Sequence, residues 1–297
     1  MIRPASLAKG SRVALVAPAR FIKTEDIEES LRWLKVNGLE AVFDERLFRH
    51  FNQYGGTDEE RSSLLQEYLD SSDIDAILCV RGGYGTIRII DRLNFDGFKR
   101  HPKWIIGYSD ITVLHAKLQS IGYESLHASM PINFKENTDE SLDSLYNVLV
   151  GNDLYYDIDN HELNKRGYAE AELVGGNISV LYSMLGSDIF PDTRGKILFL
   201  EDLDEYLYHI DRMMVAMERA GKLSEIKGLI VGGLTQMHDN TINFGQSAEE
   251  ILMERVSTYD IPVCFGFPAG HINDNRALVL GRKMRLNVDD RVLLEFV

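Results

Sequence analysis

Four short apolar runs occur early in the chain, and each gives way to a segment of different periodicity. They are Arg12–Ala17 (RVALVA), Glu40–Phe43, Ala76–Val80 (AILCV) and Trp104–Gly107 (WIIG). A strand that is apolar on both faces must be covered on both faces, which is the condition of a parallel sheet between helical layers. The intervening segments supply those layers. Ile27, Leu31 and Leu34 fall at helical spacing within Thr24–Asn37, and Gly38 marks a stop. Thr57 and Glu60 form a T-x-x-E capping box before Leu64, Leu65, Tyr68 and Leu69. The pattern predicts an α/β fold with a Rossmann-like parallel sheet. Ligands of such sheets bind beyond the carboxyl ends of the strands, so the turns after Val80 and Gly107 are the places to examine.

The 297 residues are enough for two domains. Composition turns polar between about Asn133 and Gly167, apart from a helix-like stretch at Leu142–Val150. We therefore expect an N-terminal α/β domain at 1–135, a crossing segment at 136–167, and a smaller C-terminal α/β domain at 168–297. In the latter the spacing predicts helices at Ile178–Leu185, Leu203–Ala220 and Ala248–Ser257. Strands are predicted at Lys196–Leu200, Gly228–Val231 and Val263–Phe265. ALVLG, MRLNV and VLLEFV at the end alternate as antiparallel strands.

Lys and Arg total 32 against 46 Asp and Glu, a formal charge of −14. That balance argues against nucleic acid, whose binding rests on cations that displace phosphate counterions, and against an anionic membrane surface. The two cysteines, Cys79 and Cys264, sit in apolar runs and read as buried small hydrophobes. No Cys/His cluster suggests a metal, and no cofactor is expected. No run reaches the roughly 18 residues of a membrane span. VALVA is shorter than the roughly 7 residues of a signal-peptide core, so a reducing, cytoplasmic setting is expected.

Four segments could carry chemistry. In Ile105–Thr112 (IIGYSDIT), Ser109 stands where a strand turns into a helix, beside fresh backbone N–H groups. It is either a nucleophile at an elbow or an N-cap, with Asp110 as a first-turn acid. Arg81-Gly82-Gly83-Tyr84-Gly85 follows AILCV. Its glycines let a ligand approach backbone closely, but Arg88 falls where a dinucleotide fingerprint needs its third glycine. Arg81 is either an anion anchor or a structural ion-pair partner. In Phe199–Glu205 (FLEDLDE), Glu201 sits at a strand end, placed to orient a histidine. Asp202, Asp204 and Glu205 suit the first turn of the next helix. His271 lies in the Gly/Pro-rich loop GFPAGHINDN, as a catalytic group or a solvated one. Asn177, in LVGGN, is an N-cap or a site residue. His127 follows a short strand and could lie near the site, with no specific role assigned.

Taken in series, RVALVAPA, CVRGGYGTIRIID, IIGYSDIT, LVGGNISVL, LFLEDLDE, GLIVGG and GFPAGHINDNRALVLG resemble the LD-carboxypeptidases, serine peptidases that include the microcin immunity proteins. The resemblance spans nearly the whole chain and implies a site in the cleft between two α/β domains. It implies a Ser109–His271–Glu201 triad, with Ser109 from the first domain and the other two from the second. An oxyanion hole from the backbone N–H groups of Gly83 and Asp110 goes with it. The implied substrate is murein tetrapeptide, losing a C-terminal D-alanine. Arg81, Tyr84 and Asn177 are candidates for binding it, and a homodimer is expected. Two alternatives stand beside this. One is a microcin-immunity-like enzyme acting on a peptidyl-nucleotide, with Tyr54, Tyr84 or Tyr206 stacking the base. The other is a non-catalytic small-ligand binder.

Overall fold

A computed structural model describes residues 1–297. Its first half runs β1 (Arg12–Val16), α1 (Glu28–Val36), β2 (Glu40–Val42), α2 (Asp58–Asp70), β3 (Ala76–Cys79), α3 (Asp96–Arg100), β4 (Trp104–Gly107), α4 (Thr112–Ser120), β5 (Ser125–His127) and α5 (Asp139–Val150). Strands β1 to β5 pair in parallel, with Val13 opposite Ala76 and Ile77 opposite Ile105. Every residue of β3 and β4 is buried, as two covered faces require. The capping box opens α2 as read: Thr57 Oγ1 accepts from the Glu60 N–H, and the Glu60 carboxylate accepts from the Thr57 N–H at 2.8 Å. The segment Thr24–Asn37 divides into a 3-10 turn and α1. After β3 there is no full helix. The glycines lead into two 3-10 turns and the short α3, which keeps the mouth of the sheet open.

The second half contains β6 (Tyr155–Asp159), β7 (Gly167–Asn177), α6 (Ile178–Ser183), β8 (Ile197–Leu203), α7 (Leu207–Arg219), β9 (Gly228–Thr235), α8 (Ala248–Val256), β10 (Val263–Cys264), β11 (Leu278–Leu280), β12 (Lys283–Val288) and β13 (Arg291–Phe296). Its sheet has the order β10-β9-β8-β7-β12-β13-β6. β7 serves two regimes along its length. Residues 167–172 pair antiparallel with β12, and residues 173–177 pair in parallel with β8. A bulge between Leu200 and Asp202 carries β8 on to Leu203. The next helix therefore starts at Leu207, four residues later than the spacing predicts, and Asp202 belongs to a strand.

β11 does not join that sheet. It pairs antiparallel with β5, so the strand order of the first sheet is β11-β5-β4-β3-β1-β2. Leu278, Val279 and Leu280 are all fully buried, in a core shared with β5 of the first sheet and β7 of the second. The junction is held by Arg282, just past β11, whose Nη2 donates to Glu124 Oε2 at 2.6 Å; both side chains are buried. Removing one partner of a buried pair leaves an uncompensated charge. Arg282→Ala should lower stability by about 3–5 kcal/mol, read from urea unfolding, and replacing both partners with apolar residues of similar volume should recover most of it.

Candidate active site

β4 ends at Gly107, where φ is +154°, and the chain then turns sharply. Ser109 has φ +63°, a left-handed conformation that a residue with a Cβ adopts at a cost. The N-cap of the 3-10 turn is Tyr108, and no side chain caps it, so the Ser109 hydroxyl is not spent as a cap. The room for it comes from Gly82. A Cβ there would lie 3.0 Å from Ser109 Cβ and 3.1 Å from its Oγ. The N–H groups of Gly83 and Asp110 are bonded to nothing else in the chain. The Asp110 carboxylate is occupied in binding the two turns together: it is buried and accepts the Thr86 N–H at 2.7 Å. Burial pushes its pKa up, against the hydrogen bond to Thr86.

On the other side of the cleft, His271 Nδ1 meets Glu201 Oε2 at 2.6 Å. Glu201 is fully buried, and its other oxygen has no partner. Gly270, at φ +102°, makes that approach possible, because a Cβ there would come within 2.8 Å of the glutamate. The Gly270 N–H in turn donates to the buried Asn275 Oδ1 at 2.8 Å, so the GHINDN loop orders itself. Burial opposes the charge on both partners, but each is outweighed by the other. The charge and hydrogen bond of His271 hold Glu201 below the ordinary carboxylate range. Those of Glu201, with Asp202, raise His271 above 6.5. The Tyr108 ring packs edge-on against His271 at 4.8 Å, and its hydroxyl donates to Asn133 Oδ1 at 2.9 Å. The neighbour of one candidate residue thus positions the other.

Ser109 and His271 line one cleft of about 550 Å3, together with Arg20, Arg81, Gly83 and Asn177. Ser109 Oγ and His271 are not hydrogen-bonded here; such contacts are often long without substrate. Asn177 combines its two readings. Its Oδ1 caps α6 by accepting the Val180 N–H, and its Nδ2 donates to Asp202 Oδ1 at 2.9 Å. Arg81 lines the cleft but pairs with no carboxylate; its Nη1 donates to the Phe21 carbonyl at 3.1 Å. Tyr84 and Tyr206 do not line the cleft. Tyr84 leans outward against Tyr54, with ring centroids 6.2 Å apart, and Tyr206 stacks on His238 at 5.4 Å.

Four participants have roles that the sequence reading does not assign. Asp202 is the first: its carboxylate accepts from Asn177, from the Ser179 N–H and from the Leu203 N–H. Burial, then the adjacent Glu201 charge, raises it to about 7. The second is His127, fully buried between Tyr108 and Phe199, with neither ring nitrogen bonded and its pKa lowered by burial to about 4. Tyr108 and Arg20 complete the set. No cluster of three His, Cys, Asp or Glu side chains converges as a metal site. Both cysteines are free and buried, and burial pushes the Cys264 thiol up to about 12. In an NMR titration His271 should give the higher imidazole pKa and His127 should stay neutral through pH 5 and above. Glu201→Gln should lower the His271 value.

The site and its frame have known counterparts. Residues 13–128 match the LD-carboxypeptidase N-terminal domain, and residues 170–286 match the LD-carboxypeptidase C-terminal domain. The chain is 33% identical to a Bacillus subtilis (strain 168) protein named "Probable murein peptide carboxypeptidase", over 97% of this chain and 92% of the relative. It is 29% identical to the murein tetrapeptide carboxypeptidase of Pseudomonas aeruginosa, over 91% of each. The crystal structure of muramoyltetrapeptide carboxypeptidase from Oxalobacter formigenes superposes with a TM-score of 0.88 at 27% identity, covering 96% of this chain and 98% of that one. The microcin C7 self-immunity protein MccF, at 21% identity and a TM-score of 0.88 over 99% and 98% of the two chains, shares the fold. No helix is long and apolar enough to cross a membrane. With both halves matched and the relatives aligned over almost their full length, the chain belongs to the LD-carboxypeptidase family of serine-type carboxypeptidases.

Proposed function

We propose that this chain removes the C-terminal D-alanine of murein tetrapeptide, cutting its bond to the L-centre of a diamino acid, as a cytoplasmic step of cell-wall recycling. One observation carries the reading. A histidine bonded at 2.6 Å to a buried glutamate faces, across one cleft, a serine at φ +63° with unbonded N–H groups beside it. That is the arrangement acyl transfer needs: a nucleophile, a base with a fixed tautomer, and donors for the developing charge. The two halves divide the work, 1–135 bringing Ser109 and 168–297 bringing Glu201 and His271, while β11 of the second half completes the sheet of the first and β6, within 136–167, completes that of the second.

In the proposed mechanism, His271 Nε2 takes the proton of Ser109 Oγ as the oxygen attacks the scissile carbonyl. Glu201 holds Nδ1–H and stabilises the imidazolium that forms. The N–H groups of Gly83 and Asp110 receive the oxyanion, a role in which one donor is worth roughly 10²–10³ in kcat. His271 then returns the proton to the amine of D-alanine, which leaves, and Ser109 remains acylated. Water, deprotonated by the same histidine, releases the shortened peptide and regenerates the hydroxyl. A peptidyl-nucleotide substrate fits less well: it wants an aromatic face for its base, and the aromatic lining the cleft, Tyr108, is turned onto His271.

Incubation with murein tetrapeptide should release D-alanine, and EDTA should leave the rate unchanged. Ser109→Ala should fall by about 10⁴-fold or more in kcat; a folded Ser109→Ala that keeps the full rate overturns the assignment. The pH profile has a definite sign. The base must be neutral, and Glu201 raises its pKa above 6.5. kcat/KM should therefore fall as pH drops through that raised value, and Glu201→Gln should move this acid limb to lower pH while reducing the plateau.

A further inference from the structure

A carboxypeptidase must recognise a free carboxylate one residue beyond the bond it cuts. Consecutive Cα atoms are about 3.8 Å apart, so the receptor must lie within about one residue of the oxyanion donors. Besides His271, the cleft holds two cations, Arg20 and Arg81. Arg81 is already engaged with the Phe21 carbonyl. Arg20 is different. Its backbone is fixed on two sides, by its N–H to the Gly82 carbonyl at 3.3 Å and by a bridge to Tyr54. Its stem lies directly over Gly83: a Cβ on that glycine would be 2.6 Å from Arg20 Cδ and 2.8 Å from Nε. Gly83 in turn follows Gly82, which touches Ser109. Arg20 is exposed, and its charge is felt by the buried Asp110 carboxylate beside Ser109.

The wall opposite excludes the other placement. Asp204 and Glu205 line it, bonded to His238 and His209, and their charges repel a carboxylate; Asp202 beside them is taken up by Asn177. We propose that Arg20 is the cation that receives the terminal carboxylate of the substrate, so that it selects peptides ending in a free acid over those ending in an amide. Arg81 acts through it as a positioning residue, because its bond to Phe21 and the Arg20–Gly82 bond stitch the two turns together. This rests on the carboxypeptidase reading above and assigns that activity its specificity-determining side chain.

The test compares murein tetrapeptide with its C-terminal carboxamide, using the whole enzyme, Arg20→Ala and Arg20→Lys, with circular dichroism as a check on folding. The native enzyme should favour the acid. Arg20→Ala should raise KM for the acid and cut kcat/KM about 10- to 100-fold, the range for a charge-assisted hydrogen bond. The rate on the amide should fall much less than that on the acid, so that the acid-to-amide ratio collapses. Arg20→Lys should restore part of the ratio as a point charge without the planar fork. A folded Arg20→Ala that keeps the native ratio overturns the assignment of Arg20. Equal rates on acid and amide by the native enzyme overturn any carboxylate receptor. Failure of the native enzyme on both peptides overturns the carboxypeptidase reading instead.

Discussion

A carboxylate with no access to solvent needs a cationic or hydrogen-bonding partner, and the geometry around Glu201 follows from that need. The partner is His271, and its approach within 2.6 Å places conditions on several elements at once. The bulge between Leu200 and Asp202 falls on Glu201, which is left out of the pairing with β9 while β8 goes on to Leu203. Residue 270 must be glycine, since any side chain would meet the glutamate. Asn275 must fold the loop back on Gly270. Tyr108 then closes over the imidazole from the other sheet, which ties the pair to the turn that carries Ser109. A charge pair of this kind adds little net stability. Its effect is on position, fixing one ring orientation from elements far apart in sequence.

Much of this was legible because continuous apolar runs leave few options. AILCV and WIIG had to be parallel and covered, and the turns after them do hold the glycines and Ser109. T-x-x-E marked the start of α2 within a residue. The sequence was opaque where one segment serves two neighbours. Gly167–Asn177 carries a Gly-Gly pair that argues against a strand, yet it pairs along its whole length because its partner changes halfway. The bulge in β8 was equally hidden, and with it the identity of Asp202, which local acidity assigned to a helix that begins only at Leu207.

Of the candidate site, the residues of special backbone or loop chemistry stood out, namely Ser109, Gly83 and His271, as did Glu201 at a strand end. Residues placed by distant partners and carrying no local motif did not. Arg20 follows Pro18-Ala19 with no local signal, and its place depends on Gly82 and Tyr54, far along the chain. Tyr84 shows the opposite error. It sits in the glycine turn, but the turn directs its ring outward to Tyr54.

The position of β11 has a consequence for how the molecule is made. The strand that completes the edge of the first sheet is made about 150 residues after the strand it pairs with, Leu278–Leu280 against Ser125–His127. The loop bearing His271 runs from β10 in one sheet to β11 in the other. An emerging N-terminal half therefore waits, with β5 unpaired on one side, for contacts of very long sequence separation. The same event that closes this edge anchors both ends of the histidine loop. A chain that stops short of β11 thus leaves His271 on a loop with one end free, and the pairing of His271 with Glu201 depends on the joining of the two sheets.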